Sequence, residues 1–177
     1  MAKDKAKSRR RQRPNTSSDN SEVSPPSRRE LAWQKTHLID QKQNSWRTVY
    51  FPQEGKYIGH VNAQGKRHGE GFLLADNKMC YEGNWKDGLM SGYGVKTFPS
   101  GDRYEGSHEA GKRCGWGYYL WNCGDKYTGM WEGNVMNGQG CFVWSCGDVY
   151  TGTWKRGVMS GKGHKAYADG SSVKGKG

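Results

Sequence analysis

The chain contains no run of about 18 apolar residues, so the sequence offers no transmembrane helix. Its basic start is followed by no apolar stretch, so no secretory signal is expected and the reading is cytoplasmic, with a nuclear pool as a further option. Glycine is missing from the first 54 residues: all 27 glycines lie between Gly55 and Gly177. Residues 1–29 also lack aromatics, and with so little apolar surface to bury they are expected to form a disordered basic tail. Cysteine is scarce and odd in number, five in all, with no Cys-x-x-Cys pair, so neither a zinc site nor a redox pair is indicated.

What is present is a repeat. Tyr57, Tyr81, Tyr104, Tyr127 and Tyr150 are separated by 24, 23, 23 and 23 residues. The same glycine grid accompanies them: Gly83, Gly106, Gly129 and Gly152, then Gly92, Gly115, Gly138 and Gly161, then Gly94, Gly117, Gly140 and Gly163. Self-similarity at this period means an array, and it accounts for most local motifs.

Within one unit, Tyr81-Glu82-Gly83-Asn84-Trp85 alternates, which puts Tyr81, Gly83 and Trp85 on one face of a strand. Asp87-Gly88 then supplies a hairpin turn, and a second strand runs through Gly92, Gly94 and Lys96 to Phe98. A glycine between two aromatics leaves a hollow for a neighbouring ring, so ring over glycine is the expected packing. Stacked units would align Trp85, Trp131 and Trp154, and likewise Phe98, Trp121, Trp144 and Tyr167. The expected fold is all-β: an elongated single-layer antiparallel meander of about five hairpins, with repeats at 57–80, 81–103, 104–126, 127–149 and 150–172. Ten strands would span roughly 50 Å.

Residues 30–56 read as a lead-in, with a short helix after the Ser27-Arg28-Arg29-Glu30 capping pattern and a strand at 46–51 that covers the first sheet edge. A partial sixth unit begins at 173–177, so the last edge is either covered by a partner or continued in a longer chain. Cys123 and Cys146 share a column, but residues two strands apart sit about 9.5 Å from each other, beyond the roughly 7 Å reach of a disulfide. Reduced thiols are expected.

The pattern Tyr-x-Gly-x-Trp-x-x-Gly-x-x-x-Gly-x-Gly, met at every anchor by residues 81–94 and 150–163, resembles the MORN (membrane occupation and recognition nexus) family. The resemblance covers residues 57–177. Departures are Val61 and His108 at the tryptophan position, Lys78 for a closing glycine and Asn134 for a turn glycine. The Trp33 and Trp46-to-Tyr50 lead-in is similar to that of small MORN proteins of sperm and ciliated cells. The resemblance implies a scaffold that dimerises, holds a helix or extended segment, or lies against membrane, in settings such as axonemes, flagella and spermatogenesis.

Chemical motifs are weak beside the grid. Gly106 to Lys112 and Gly170 to Lys176 echo a phosphate loop, but neither has the following Ser/Thr nor opens a helix. His37, His60, His68, His108 and His164 lack a second ligand at metal spacing, and the Asp102, Asp125, Asp148 column follows turn glycines, where it braces hairpins. No catalytic residue, metal site or cofactor is expected. A one-layer sheet has no second layer to cover its rings, so several hundred square ångströms of Tyr and Trp are expected to stay partly exposed. Tyr81, Trp85, Tyr104, Tyr127, Trp131, Tyr150 and Trp154 are therefore the expected contacts for a partner helix, an extended segment or a second copy. The tail cations Lys3, Lys5, Lys7, Arg9, Arg10, Arg11 and Arg13 read as a solvated tail, an import signal or an anchor on anionic phospholipid. Aromatics and charge lie apart, which argues against nucleic acid.

Overall fold

The computed structural model describes residues 46–176, and the expected short helix and basic tail lie outside them. The described chain is one open antiparallel sheet of twelve strands in sequence order, without helices. The strands are β1 (Arg47–Phe51), β2 (Gly55–Val61), β3 (Arg67–Leu74), β4 (Cys80–Lys86), β5 (Leu89–Thr97), β6 (Arg103–Glu109), β7 (Lys112–Leu120), β8 (Lys126–Glu132), β9 (Val135–Val143), β10 (Val149–Lys155), β11 (Val158–Ala166) and β12 (Ser172–Lys176). Ten of these are the five hairpins. The lead-in supplies β1, and the partial sixth unit supplies β12, which pairs with β11 from Ala166↔Ser172 to Lys162↔Lys176.

Register is set by glycine facing glycine. Gly83 pairs with Gly94 and Gly94 with Gly106, and the row continues through Gly117, Gly129, Gly140, Gly152 and Gly163 to Gly175. Each repeat hairpin is interrupted by a register shift beside this row, as between Gly83 and Trp85. The tight turns use positive φ at both central residues, 51° at Asp87 and 91° at Gly88, as a primed turn requires. Asn134 adopts φ 76° at its turn, the left-handed conformation that asparagine tolerates best among residues with a side chain.

Successive hairpins are tied to one another at their turns, at both ends from the second unit on. At one end Asp102 accepts the Asn122 backbone N–H at 2.8 Å, Asp125 accepts that of Ser145 at 2.8 Å, and Asp148 accepts that of Ala168 at 3.1 Å. At the other, Gly111 N–H donates to Met90 O and Gly157 N–H to Met136 O, each at 2.9 Å. Stability is thus carried by nearest-neighbour terms, as expected of an array.

Candidate functional site

The face holding the array tyrosines is a continuous layer of rings. Each tyrosine lies down over backbone without side chains: a methyl group added to Gly94 would stand 2.3 Å from the Tyr81 hydroxyl, and one on Gly163 2.3 Å from that of Tyr150. The hydroxyl ends in a hydrogen bond to the backbone three residues on, Tyr81 donating to Asn84 O at 3.1 Å and Tyr127 to Met130 O at 3.0 Å. Burial of the phenols pushes Tyr57 and Tyr127 up to about 12. Trp85, Trp131 and Trp154 each stand edge-on between two tyrosines. Trp131 is 5.5 Å from Tyr104 and 5.3 Å from Tyr127, and Trp154 is 5.5 Å from Tyr127 and 5.3 Å from Tyr150. Indole N–H groups of Trp85 and Trp131 donate to Gly71 O and Gly117 O.

This interlocking corrects one expectation. Tyr81, Trp85, Tyr104, Tyr127, Trp131, Tyr150 and Trp154 do not remain partly exposed: none exceeds 6%. Rings that lie flat over glycine and wedge into one another form their own second layer, so no opposing sheet is needed. Arginine adds to it, since the Arg67 guanidinium sits 4.6 Å from the Trp85 ring centroid and that of Arg113 4.4 Å from Trp131.

What the ring face offers to solvent is its rim. Phe98, Trp121 and Trp144 are half-buried and Tyr167 is 37% exposed. Phe98, Trp121 and Trp144 join a ladder with Tyr119 and Phe142, with centroids 5.8 Å apart for Phe98–Tyr119, 4.4 Å for Tyr119–Trp121, 5.2 Å for Trp121–Phe142 and 4.6 Å for Phe142–Trp144. Lys96 lies over Phe98 at 5.0 Å, and Lys165 lies between Trp144 at 4.7 Å and Tyr167 at 4.6 Å. Burial lowers the Lys96 pKa, helped by the nearby Arg113 charge. The sequence showed this column but gave no reason to single it out. Its signal is an aromatic at the entrance to the closing turn of the second to fifth units, where the first has Ala75, beyond the last glycine that could receive a ring.

The opposite face also carries aromatics that sequence reasoning passed over. Trp116 is 57% exposed and Tyr93 56%, each lying in the stretch where its hairpin's register shifts. His108, in the tryptophan slot of the third unit, is 3% exposed, 5.2 Å from Tyr81 and 5.1 Å from Tyr104, with neither ring nitrogen hydrogen-bonded. Burial, with the Lys96 and Arg113 charges, pushes it down to about 4. Among the described residues no group of His, Cys, Asp and Glu is placed to hold a metal ion, and the five cysteines are free thiols. Gly106 to Lys112 runs along β6 and turns into β7, so no helix end meets it. No helix of the described residues is long and apolar enough to cross a membrane.

The model of the MORN repeat matches residues 57–78, 81–103, 127–149 and 150–172, just over half of the chain. The chain belongs to the MORN-repeat family. MORN repeats are generally non-catalytic modules, and they fit a protein-interaction scaffold. The unmatched stretch contains the unit with His108, which nonetheless folds as the same MORN hairpin. No curated protein matches the chain. Among solved structures it is similar to the TCP domain of SAS-4 from Drosophila melanogaster, in complex with a proline-rich motif of Ana2. Identity is 14% and the TM-score 0.42, over 74% of this chain and 78% of that one.

Proposed function

We propose that this MORN array is a non-catalytic scaffold whose ring face binds a helix or extended segment of a partner protein in a cytoskeletal assembly of cilia, flagella or sperm. The observation that carries this reading is the ladder from Phe98 to Trp144, in which Phe98, Trp121 and Trp144 present half-buried aromatic surface held from below by the buried Tyr119 and Phe142. Contact hot spots favour such rings, because a fixed side chain loses little freedom on binding. Tyr104, Tyr127, Trp131, Tyr150 and Trp154 act in it as part of the buried floor against which Trp121 and Trp144 pack, and Tyr81 and Trp85 form the corresponding floor of the first two units. Lys96 and Lys165 beside the rim favour a segment carrying acidic residues. The setting follows from the resemblance of the lead-in to small sperm and ciliary MORN proteins.

The test compares partner capture from ciliated-tissue extract by the full chain, by Trp121→Ala with Trp144→Ala, and by Trp116→Ala. Loss of a specific partner in the rim variant alone supports the ring face. Loss with Trp116→Ala alone moves the contact to the opposite face and rejects the ring-face reading.

The alternative is a peripheral membrane module, favoured by a net charge of +11 and by the seven cations between Lys3 and Arg13. It requires flotation with anionic liposomes that is lost when residues 1–13 are removed.

A further inference from the structure

The outer face, away from the rings, changes character along the array. Three of its columns read Ile58, Glu82, Glu105, Thr128, Thr151, Lys174; then Glu70, Tyr93, Trp116, Gln139, Lys162; then Phe72, Val95, Tyr118, Cys141, His164. All three turn basic or imidazole-bearing together, at β11 and β12. His164 faces Lys174 directly in register on one side and Thr151 on the other. Facing residues of this kind have Cα atoms about 4.5–5.5 Å apart.

These groups rim a shallow, open depression whose other lining residues are Gln139, Thr151, Gly152, Gly163 and Gly175. The three glycines are consecutive members of the glycine row. The side-chain positions of Gly152 and Gly163 point to the ring face, under Tyr150, so they present only backbone between the outward-facing residues that line the depression. No carboxylate lines it. Among the described residues, the ion pairs involve none of Lys162, His164 and Lys174, whereas Lys165, on the ring face, is paired with Asp148 at 3.2 Å. Cations gathered across neighbouring strands without a counter-charge do nothing for the sheet, since like charges side by side oppose pairing.

We infer that this depression is a binding site for a phosphate monoester, seated over the Gly152–Gly163–Gly175 backbone and held by Lys162, Lys174 and His164. A tetrahedral dianion fits the donor set. Two ammonium groups and an imidazole N–H supply charge-assisted hydrogen bonds, and Thr151 and Gln139 add neutral donors at the rim. The site is separate from the ring face, so it stands or falls independently of the partner proposed there.

The test is a titration of the 15N-labelled full chain with inorganic phosphate and with O-phosphoserine, at an ionic strength held constant with chloride. Saturable amide shifts are expected at residues 139, 151–152, 162–164 and 174–175. Lys162→Ala with Lys174→Ala should weaken binding about tenfold or more. Lys56→Ala with Lys126→Ala, which removes the same charge elsewhere on the outer face, should leave it unchanged. Buried-tryptophan fluorescence reports that both variants are folded. Shifts that do not saturate, or equal weakening in the two variants, would overturn the site. Phosphatidylcholine vesicles containing a phosphoinositide give the second arm. Vesicle binding that needs Lys162 and Lys174 but resists competition by O-phosphoserine identifies a lipid headgroup as the source, and competition identifies a soluble phosphate.

Discussion

The Tyr127 hydroxyl fills the space in which a side chain on Gly140 would stand: a methyl group there would lie 2.4 Å from it. The relationship repeats between Tyr104 and Gly117 and between Tyr150 and Gly163, so the period of the sequence is at bottom a period of rings over bare backbone.

Gly140→Ala is therefore expected to destabilise the array by about 1–3 kcal/mol or more, because Tyr127 is wholly buried and has nowhere to move. Gly175→Ala, where nothing lies within 4 Å, should be close to neutral. Urea unfolding of the two variants beside the parent chain measures the difference.

His108 should make the sheet sensitive to mild acid. Its folded pKa, about 4, lies below the ordinary 6.5, so between these values the unfolded chain binds more protons than the folded one. Stability is then full above about pH 6.5 and falls as pH drops toward 4, by about 2 kcal/mol between pH 7.5 and pH 5. His108→Trp puts an indole N–H within reach of Gly94 O, fourteen residues back, as Trp131 reaches Gly117 O. That variant should lose this part of the pH dependence, which denaturant midpoints at the two pH values will show.

Lys78 holds φ 70° where the other closing turns have glycine, with φ 94° at Gly101 and 96° at Gly124. A side chain in the left-handed region costs about 1 kcal/mol, so Lys78→Gly should raise the thermal midpoint of the parent chain. An unchanged or lower midpoint would mean that Lys78 makes contacts worth as much as the strain.

Asp125 accepts the Ser145 N–H, and that bond holds its pKa below the usual carboxylate value. Its contribution is present above the ordinary carboxylate pKa and is lost as pH falls through the depressed value. Asp125→Ala should lower the melting temperature at neutral pH and loosen the neighbouring turn, read as faster amide exchange at Ser145.

Much of this was legible in the residues. Alternation around Gly83 fixed which face each side chain takes, the Asp87-Gly88 turn has the backbone its residues demand, and the edge strand at 47–51 follows from the lead-in. The exposure of the rings was not legible. Alternation tells which face Trp131 shares with Tyr104 and Tyr127, but not that it wedges edge-on between them and is left 5% exposed. Composition cannot show that flat-lying rings bury one another. For the same reason the double variant Trp131→Ala with Trp154→Ala tests folding rather than binding: each truncation should cost about 3–5 kcal/mol as a core cavity.

The most direct measurement of the ring-face contact is lysine crosslinking with mass spectrometry in ciliated or sperm tissue. Lys96 and Lys165 lie against the rim aromatics, whereas Lys56, Lys126, Lys162 and Lys174 lie on the opposite face. Crosslinks from Lys96 and Lys165 to one partner segment, absent when Trp121 and Trp144 are replaced by alanine, are the expected result. Partner crosslinks confined to the opposite-face lysines, or unchanged by that replacement, would contradict it.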